Sequence, residues 1–477
     1  MFGCHARARY VPRSTQGCDA VAIVREHWPS FRERIELHAG SLPSFVRNEL
    51  EAFATCGDFE QGFLVAQCRR CGDSLRVPFA CKSRGVCPSC MGRRMCESAA
   101  LLVEHRLPAV PWRQWVLSFE GPMAVRLGYD KRLLALVCQR FAKRVQQTLR
   151  RQTKREHARA TSSTLHAGMV IVVQRFRSDL GLFVHLHALV TDGCFEALED
   201  DAQEVRFWPT EQLARDHLLS TLQRLHADLA EHALDEGEPP EDGVAACVQL
   251  GLSGLGPGPV RTLPCAVEPM LVTGFGMQLH AAVCVDGRDR KRLERVCRYL
   301  LRPPFALGAV ARTADGQVRV HFKKPSRSGA TYAQMSPERF LARLCALVPP
   351  PGAHTVRYYG VLAPRHALRA CVVPTPEASE TAPKQLSLFV PQGQLELAAI
   401  TKPALDKQLL DVAPHRLSWM SLLARVFRID VSVCQRCKGP MRVVRAVTCP
   451  DEIAEALHAA RPPPRLSPPG QLMLFLA

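Results

Sequence analysis

Between Cys68 and Cys90 the chain reads CRRCGDSLRVPFACKSRGVCPSC. Cys68 and Cys71 form one C-x2-C knuckle, Cys87 and Cys90 a second, and fifteen residues separate them. No other stretch constrains the fold as tightly. Two thiolates on one tight turn share an edge of a tetrahedron, and two such turns close a four-sulfur site. The spacing predicts a Zn2+ ribbon built from Cys68, Cys71, Cys87 and Cys90. Such a site has no open position for water, which makes it structural. Cys56 and Cys81 lie close by, as alternative ligands or as buried thiols. Arg69, Arg70, Lys82, Arg84, Arg93 and Arg94 make the module basic, suited to presenting cations to DNA.

The rest of the composition supports a polyanionic partner. The 477 residues carry a net charge of +17, which favours nucleic acid. No apolar run approaches the roughly 20 residues of a membrane-spanning helix. The N-terminus MFGCHARARYVPRS is not followed by the apolar core of a signal peptide. A cytoplasmic location is expected, with reduced cysteines.

Organisation follows from periodicity. Residues 1–55 read as an N-terminal helical segment, 56–100 as the zinc-binding module and 101–371 as a catalytic domain. Residues 372–405 read as a linker, on the strength of a stretch rich in Pro, Ser, Thr and Glu around 372–387. Residues 406–477 form a small module with a second CxxC and a proline-rich tail. Tyr129–Ala160 is a long amphipathic helix whose end is crowded with Arg150, Arg151, Lys154, Arg155 and Arg159. That cluster is either a solvated face or a phosphate contact. GMVIVVQRF and LFVHLHALV read as two strands joined by a short turn at Arg177–Gly181. Residues 205–255 read as helical. Met277–Val285 reads as a strand, leading into the helix DRKRLERVCRYLLRPP. Further strands are expected at Val318–Phe322 and Thr355–Leu362. The fold class is α+β.

Within LFVHLHALV, His185 and His187 are two residues apart and project to one face of a strand. Two neutral imidazoles at that spacing can clasp a divalent ion, although an H-x-H pair alone is equally a pair of core histidines. The chain has six tyrosines. One of them, Tyr299, lies beside the apolar stripe Leu293, Val296, Cys297, Leu300 and Leu301 of its helix. Arg295 and Arg302 are its i−4 and i+3 neighbours. A phenol at a core edge among guanidinium groups is placed to meet a phosphate, or simply to pack.

Taken in order, the cysteine segment CKSRGVCPSC, the strand VHLHALVTDG, the strand LHAAV, the helix RYLLRPP and the stretch RYYGVLAP resemble the ISCR-type rolling-circle insertion-sequence transposases of the HUH endonuclease superfamily. The likeness spans roughly residues 20–460. It implies a central HUH domain with an antiparallel sheet flanked by helices. It also implies that His185 and His187 hold Mg2+ or Mn2+, that Tyr299 is the nucleophile, and that Cys68, Cys71, Cys87 and Cys90 hold Zn2+. Some relatives carry two tyrosines four apart on this helix. Arg295 and Pro303 occupy those positions here, so a single-tyrosine version is implied. The implied activity is nicking and rejoining of single-stranded DNA at element ends through a 5′-phosphotyrosine. Two candidates stand for a third metal ligand, Gln174 and His280.

Other features stay open. Tyr358 and Tyr359 of RYYGVLAP alternate across a strand, so only one could face a site. Cys434 and Cys437 form a knuckle followed only by Cys449, either a second zinc site or an incomplete one. Two further functional classes fit parts of the pattern. One is an amidohydrolase-type metal-dependent hydrolase, which needs a parallel eight-fold barrel. The other is a non-catalytic zinc-ribbon DNA-binding protein.

Overall fold

A computed structural model describes residues 18–158, 160, 164–197, 205–230, 243–252, 270–326, 329–374, 433–434 and 436–458. The expected linker and the proline-rich tail lie almost wholly outside the described residues.

The chain opens with helices α1 (Asp19–Ala39) and α2 (Ser44–Ala54), then strands β1 (Phe63–Cys68) and β2 (Ser74–Pro78) and helix α3 (Pro88–His105). Strand β3 (Trp112–Phe119) leads through α4 (Gly121–Tyr129) into the long α5 (Lys131–Glu156). Strands β4 (Gly168–Phe176), β5 (Leu182–Thr191), β6 (Gly193–Ala197) and β7 (Val205–Pro209) follow, then α6 (Arg215–Ala230) and α7 (Gly243–Leu252). Next come β8 (Leu271–Gly274), β9 (Met277–Val285) and α8 (Arg290–Leu300). Then come β10 (Val310–Arg312), β11 (Val318–His321), β12 (Tyr332–Met335), α9 (Pro337–Leu347), β13 (Val356–Gly360) and α10 (Arg369–Val372). Strand β14 (Met441–Val447) and helix α11 (Pro450–His458) close the described chain. The fold is α+β, as the sequence predicts.

A six-stranded sheet in the order β13-β4-β5-β3-β9-β8 organises the molecule, and every neighbouring pair is antiparallel. An antiparallel sheet excludes the parallel barrel of the amidohydrolase alternative. Residues Arg177–Gly181 turn the β4–β5 hairpin where expected. Leu180 takes φ 67 there, and the Gly181 N–H donates to Asp179 Oδ1 at 3.1 Å. At the far end of β5, Arg113 of β3 forks onto both oxygens of Asp192 at 2.9 and 2.7 Å.

The two faces of β5 differ. Val184, Leu186, Ala188 and Val190 point into the larger core, shared with Phe141 and Val145 of α5 and Phe340 and Leu344 of α9. Each fully buried Val or Leu contributes roughly 1.5–3 kcal/mol. A one-residue slip would exchange these groups for histidines, so the register is fixed. Leu189 points the other way, into a second core with Trp112, Val170, Val172, Leu293, Cys297 and Leu300. His185 and His187 share that second face, at the end where its apolar packing runs out.

Two departures from the sequence reading have simple causes. Residues 205–209 form β7, paired with β6, although the stretch to 255 reads as helical. VRFWP is rich in β-formers, but it is too short to stand out before the stronger helical signal of α6. Strand β3, at the middle of the sheet, was not anticipated. WRQWVLSF has no clean alternation, because both faces of the strand are covered in part and its pairing with β9 is interrupted by a bulge between Gln114 and Val116. The small C-terminal module shares a sheet with the zinc-binding module, because β14 pairs antiparallel with β1.

Candidate active site and cysteine centres

The histidine face is built from three adjacent strands and one helix. In the β4–β5 hairpin Gln174 lies directly opposite His185, and Val172 opposite His187. On the other side Val116 of β3 pairs with His187 and also with His280 of β9. Gln174 is therefore an immediate cross-strand neighbour of the pair, whereas His280 is one strand further away.

Helix α8 covers this face. The carboxylate of Asp289 caps its start, accepting from the Arg292 N–H at 2.9 Å, and Pro303–Pro304 stop it. Leu293, Cys297 and Leu300 bury its apolar stripe in the second core. Gln174 pins the helix end, its Nε2 donating to the carbonyls of Tyr299 at 3.2 Å and Leu300 at 2.7 Å. These are last-turn carbonyls that have no partner inside the helix. The two bonds fix the amide orientation, and Gln174 Oε1 is left buried without a partner.

The imidazoles are neutral. Burial lowers His185 to about 4, opposed by its bond to the Phe183 carbonyl and reinforced by Arg302. His187 is held well below the usual histidine range by burial, then by His185 and Arg302. His185 Nδ1 sits 3.2 Å from the Phe183 carbonyl. Only a protonated Nδ1 can bond a carbonyl, so the Nε2 lone pair is free. His187 Nδ1 lies 2.9 Å from the Gln114 amide. The atom facing it is Gln114 Nε2, which donates to the ring nitrogen and leaves the proton of the neutral imidazole on His187 Nε2. Turning the amide over would bring its oxygen to Nδ1 and free Nε2 for a cation. His187 Nε2 is buried and has no partner.

The two imidazole centroids lie 4.9 Å apart. The Tyr299 ring stands edge-on to His187, 5.8 Å away at 89°. Tyr299 is 45 % exposed. The Arg302 guanidinium lies 5.3 Å from the Tyr299 ring centre and 5.2 Å from that of Phe176. Its Nε is buried without a partner. Arg292 and Arg295 lie exposed along the Tyr299 side of α8, so only Arg302 of the two expected neighbours packs on the ring. His187 Nε2 and Gln174 Oε1, two buried polar atoms without partners beside the His185 ring, would suit a divalent cation with mixed imidazole and oxygen ligands once the His187 tautomer turns over.

The cysteines do not assemble as the spacing predicts. Cys68, Cys71, Cys87 and Cys90 fall into two clusters, each completed by two cysteines from elsewhere. Cys87 and Cys90 join Cys56 and Cys81, with Sγ–Sγ separations of 3.8 Å for Cys56–Cys90, 3.5 Å for Cys81–Cys90 and 3.6 Å for Cys56–Cys87. Cys68 and Cys71 join Cys434 and Cys437, at 3.4 Å for Cys68–Cys437 and 3.6 Å for Cys71–Cys434. Four thiolates at Zn–S distances of about 2.3 Å stand roughly 3.8 Å apart, close to these edges, so both donor sets fit Zn2+. The physical reason for the correction is separation. β1 and β2 carry the first knuckle away from α3, whereas Cys87 and Cys90 are fixed at the N-terminus of α3 beside the end of α2. Pro88 starts that helix with Cys87 as its N-cap, and the positive end of the helix favours thiolates there. The C-x2-C at Cys434 and Cys437 was visible in the sequence. Only the β1–β14 pairing reveals its partner.

The remaining candidates are placed as follows. Tyr358 packs on the second core and Tyr359 on the first, on opposite faces of β13. Burial raises both, Tyr359 to about 12, which suits packing. Gln147, Arg150, Arg151, Lys154 and Arg155 of α5 line a cavity of about 330 Å³. Part of that charge is used internally. Arg150 bonds His166 Nδ1 at 3.1 Å and Lys154 the Ala158 carbonyl at 3.0 Å.

Two family models match the chain. Residues 23–119 match the transposase zinc-binding domain of the IS91 type, and residues 168–369 match a family described as "Putative transposase". The first spans the Cys56 cluster and β3; the second begins at β4 and spans the histidine strand and α8. The chain carries an IS91-type transposase zinc-binding domain and a putative transposase domain, which together indicate a DNA transposase. No curated protein and no solved structure matches it. As a DNA transposase it has DNA as its partner, consistent with the net charge of +17. Its zinc-binding domain, with the two four-cysteine clusters, supports Zn2+ as a constituent. No helix among the described residues of this transposase is long and apolar enough to cross a membrane.

Proposed function

We propose that this transposase is a single-tyrosine HUH enzyme of the ISCR type, which nicks and rejoins single-stranded DNA at element ends. Tyr299 is the nucleophile, and His185, His187 and Gln174 hold Mg2+ or Mn2+. One observation carries the reading. Two buried polar atoms without partners, His187 Nε2 and Gln174 Oε1, lie on adjacent strands beside the ring of a half-exposed tyrosine.

A divalent cation there would supply Lewis acidity toward the scissile phosphate. The chain's own part is positioning and charge. The Tyr299 hydroxyl oxygen attacks phosphorus, and an O–P bond forms as the P–O3′ bond breaks. The phenolic proton passes to solvent and the leaving oxygen takes one up, giving a free 3′-hydroxyl and a 5′-phosphotyrosine. The Arg302 guanidinium over the Tyr299 ring brings positive charge to where negative charge develops during the attack. Rejoining runs the step backwards. An incoming 3′-hydroxyl displaces Tyr299, and the retained phosphodiester makes a nucleotide cofactor unnecessary. Arg292 and Arg295 would track the strand's phosphates beside the nucleophile.

The test is incubation with labelled single-stranded DNA drawn from both flanks of the coding region, with Mn2+, on a denaturing gel. The wild type should give a covalent protein–DNA band, and Tyr299→Phe should give none while still binding the DNA. A covalent band that survives in Tyr299→Phe, or cleavage without any band, would remove Tyr299 from this role. Binding without cleavage in both proteins would favour the non-catalytic alternative.

A further inference from the structure

The second cysteine cluster unites parts of the chain that are 363 residues apart, from Cys71 to Cys434. Half of it lies outside both matched domains, which end at residues 119 and 369. The two knuckles are built alike. Cys68 N–H donates to the Asp73 carbonyl at 2.8 Å, and Cys434 N–H donates to the Gly439 carbonyl at 2.8 Å. In each, a backbone N–H two residues on points at the first or last sulfur, from Arg70 to Cys68 at 3.3 Å and from Gly439 to Cys437 at 3.4 Å. Gly439 admits no other residue without displacement. A Cβ there would stand 2.7 Å from Arg70 Cβ and 3.2 Å from the sulfurs of both Cys437 and Cys68.

What else holds the C-terminal unit is slight. Strand β14 pairs with β1 from Phe63↔Val447 to Cys68↔Met441, yet most of its side chains are exposed. The apolar core beneath it has three buried residues, Phe63, Val447 and Ile453. A core that small does not offset the chain entropy of ordering a strand and a helix, and units of this size depend on metals or cross-links.

We infer that Cys68, Cys71, Cys434 and Cys437 form a zinc clasp that docks the C-terminal unit, β14 and α11, onto the N-terminal module. Docking is conditional on the metal, whereas the Cys56 cluster is an independent site inside the N-terminal module. Because β14 completes the three-stranded sheet β14-β1-β2, releasing the clasp exposes the edge of β1.

The test measures zinc per chain by mass spectrometry of the metal, together with amide exchange along the full-length protein. The wild type should hold two ions, one per cluster. The variant C434S/C437S should hold one, and its amides over 441–447 should exchange at least about 100-fold faster, with α3 and the central sheet unchanged. C68S/C71S should release the same distant segment. Titrating the wild type with a chelator should remove one ion and free β14 first, which keeps the inference testable should a variant misfold. Two ions retained in C434S/C437S, or β14 protected after metal loss, would overturn the clasp. One ion in the wild type, held by the Cys56 cluster, would also overturn it while leaving the zinc-binding domain intact. No ion at all would instead remove the zinc reading of both clusters.

Discussion

The cysteine centres and the histidine face are both convergent sets of donor atoms, yet they differ in chemistry: thiols in one, imidazoles and an amide oxygen in the other. Each cysteine cluster brings four thiols within bonding distance of one point and uses every corner of a tetrahedron. The histidine face brings two imidazoles and an amide oxygen together on adjacent strands, beside the ring of the half-exposed Tyr299. On the proposed reading the closed sets hold the chain in shape, and the histidine set meets a phosphate. The protonation states follow the same division. The imidazoles are kept neutral by burial, the charge state that metal coordination requires.

The sharpest way to break this comparison is His187→Ala. It should lower single-strand cleavage by at least about 10³-fold, with zinc content and thermal midpoint nearly unchanged. Zinc analysis alongside the cleavage assay checks both halves, and a loss of zinc would mean that the two regions are not separate. A smaller effect is expected for Gln174→Ala, about 10–100-fold, relieved in part by raising Mn2+. Gln174 also pins the end of α8, so part of the loss should persist at saturating metal. A kinetic titration with Mn2+ separates the two contributions, and a loss wholly independent of metal would leave Gln174 only its positioning role.

The smallest effect is on stability. His185 titrates at about 4 in the folded chain against a usual 6.5. Between those values the unfolded chain binds more protons, so stability falls as pH drops through that window and is fully present above it. Thermal melts at pH 7, 5.5 and 4.5 should show the wild type losing more stability than His185→Gln over this range. Parallel losses in the two proteins would show that the imidazole's burial does not set the acid limit.

Much of the histidine face was legible because its signals are local. Period-two alternation put His185 and His187 on one side of a strand. A five-residue turn set Gln174 opposite His185. The stripe of α8 left Tyr299 at its edge. What was not legible is the roof over these residues. No sequence signal shows that Gln174 ties down α8, that Gln114 sets the His187 tautomer, or that Arg302 lies between two aromatic rings, because each depends on packing between distant segments. Strand β3 was missed for a related reason. A strand covered partly on both faces loses the alternation by which strands are recognised.

The cysteines draw the line most clearly. By itself the sequence determined that this chain would hold metal through paired thiols, since a C-x2-C turn makes two thiolates neighbours wherever it folds. It did not determine which pairs would meet. Knuckle spacing alone favoured joining Cys68 and Cys71 to Cys87 and Cys90, because short loops close at the least entropy. The tertiary structure decided otherwise. The hairpin of β1 and β2 carries one knuckle away, α3 fixes the other against Cys56 and Cys81, and β14 returns from the far end of the chain to supply the sulfurs that the first knuckle lacked. Local chemistry is written in adjacent residues, but the partner of a metal knuckle is chosen by the strands that carry it.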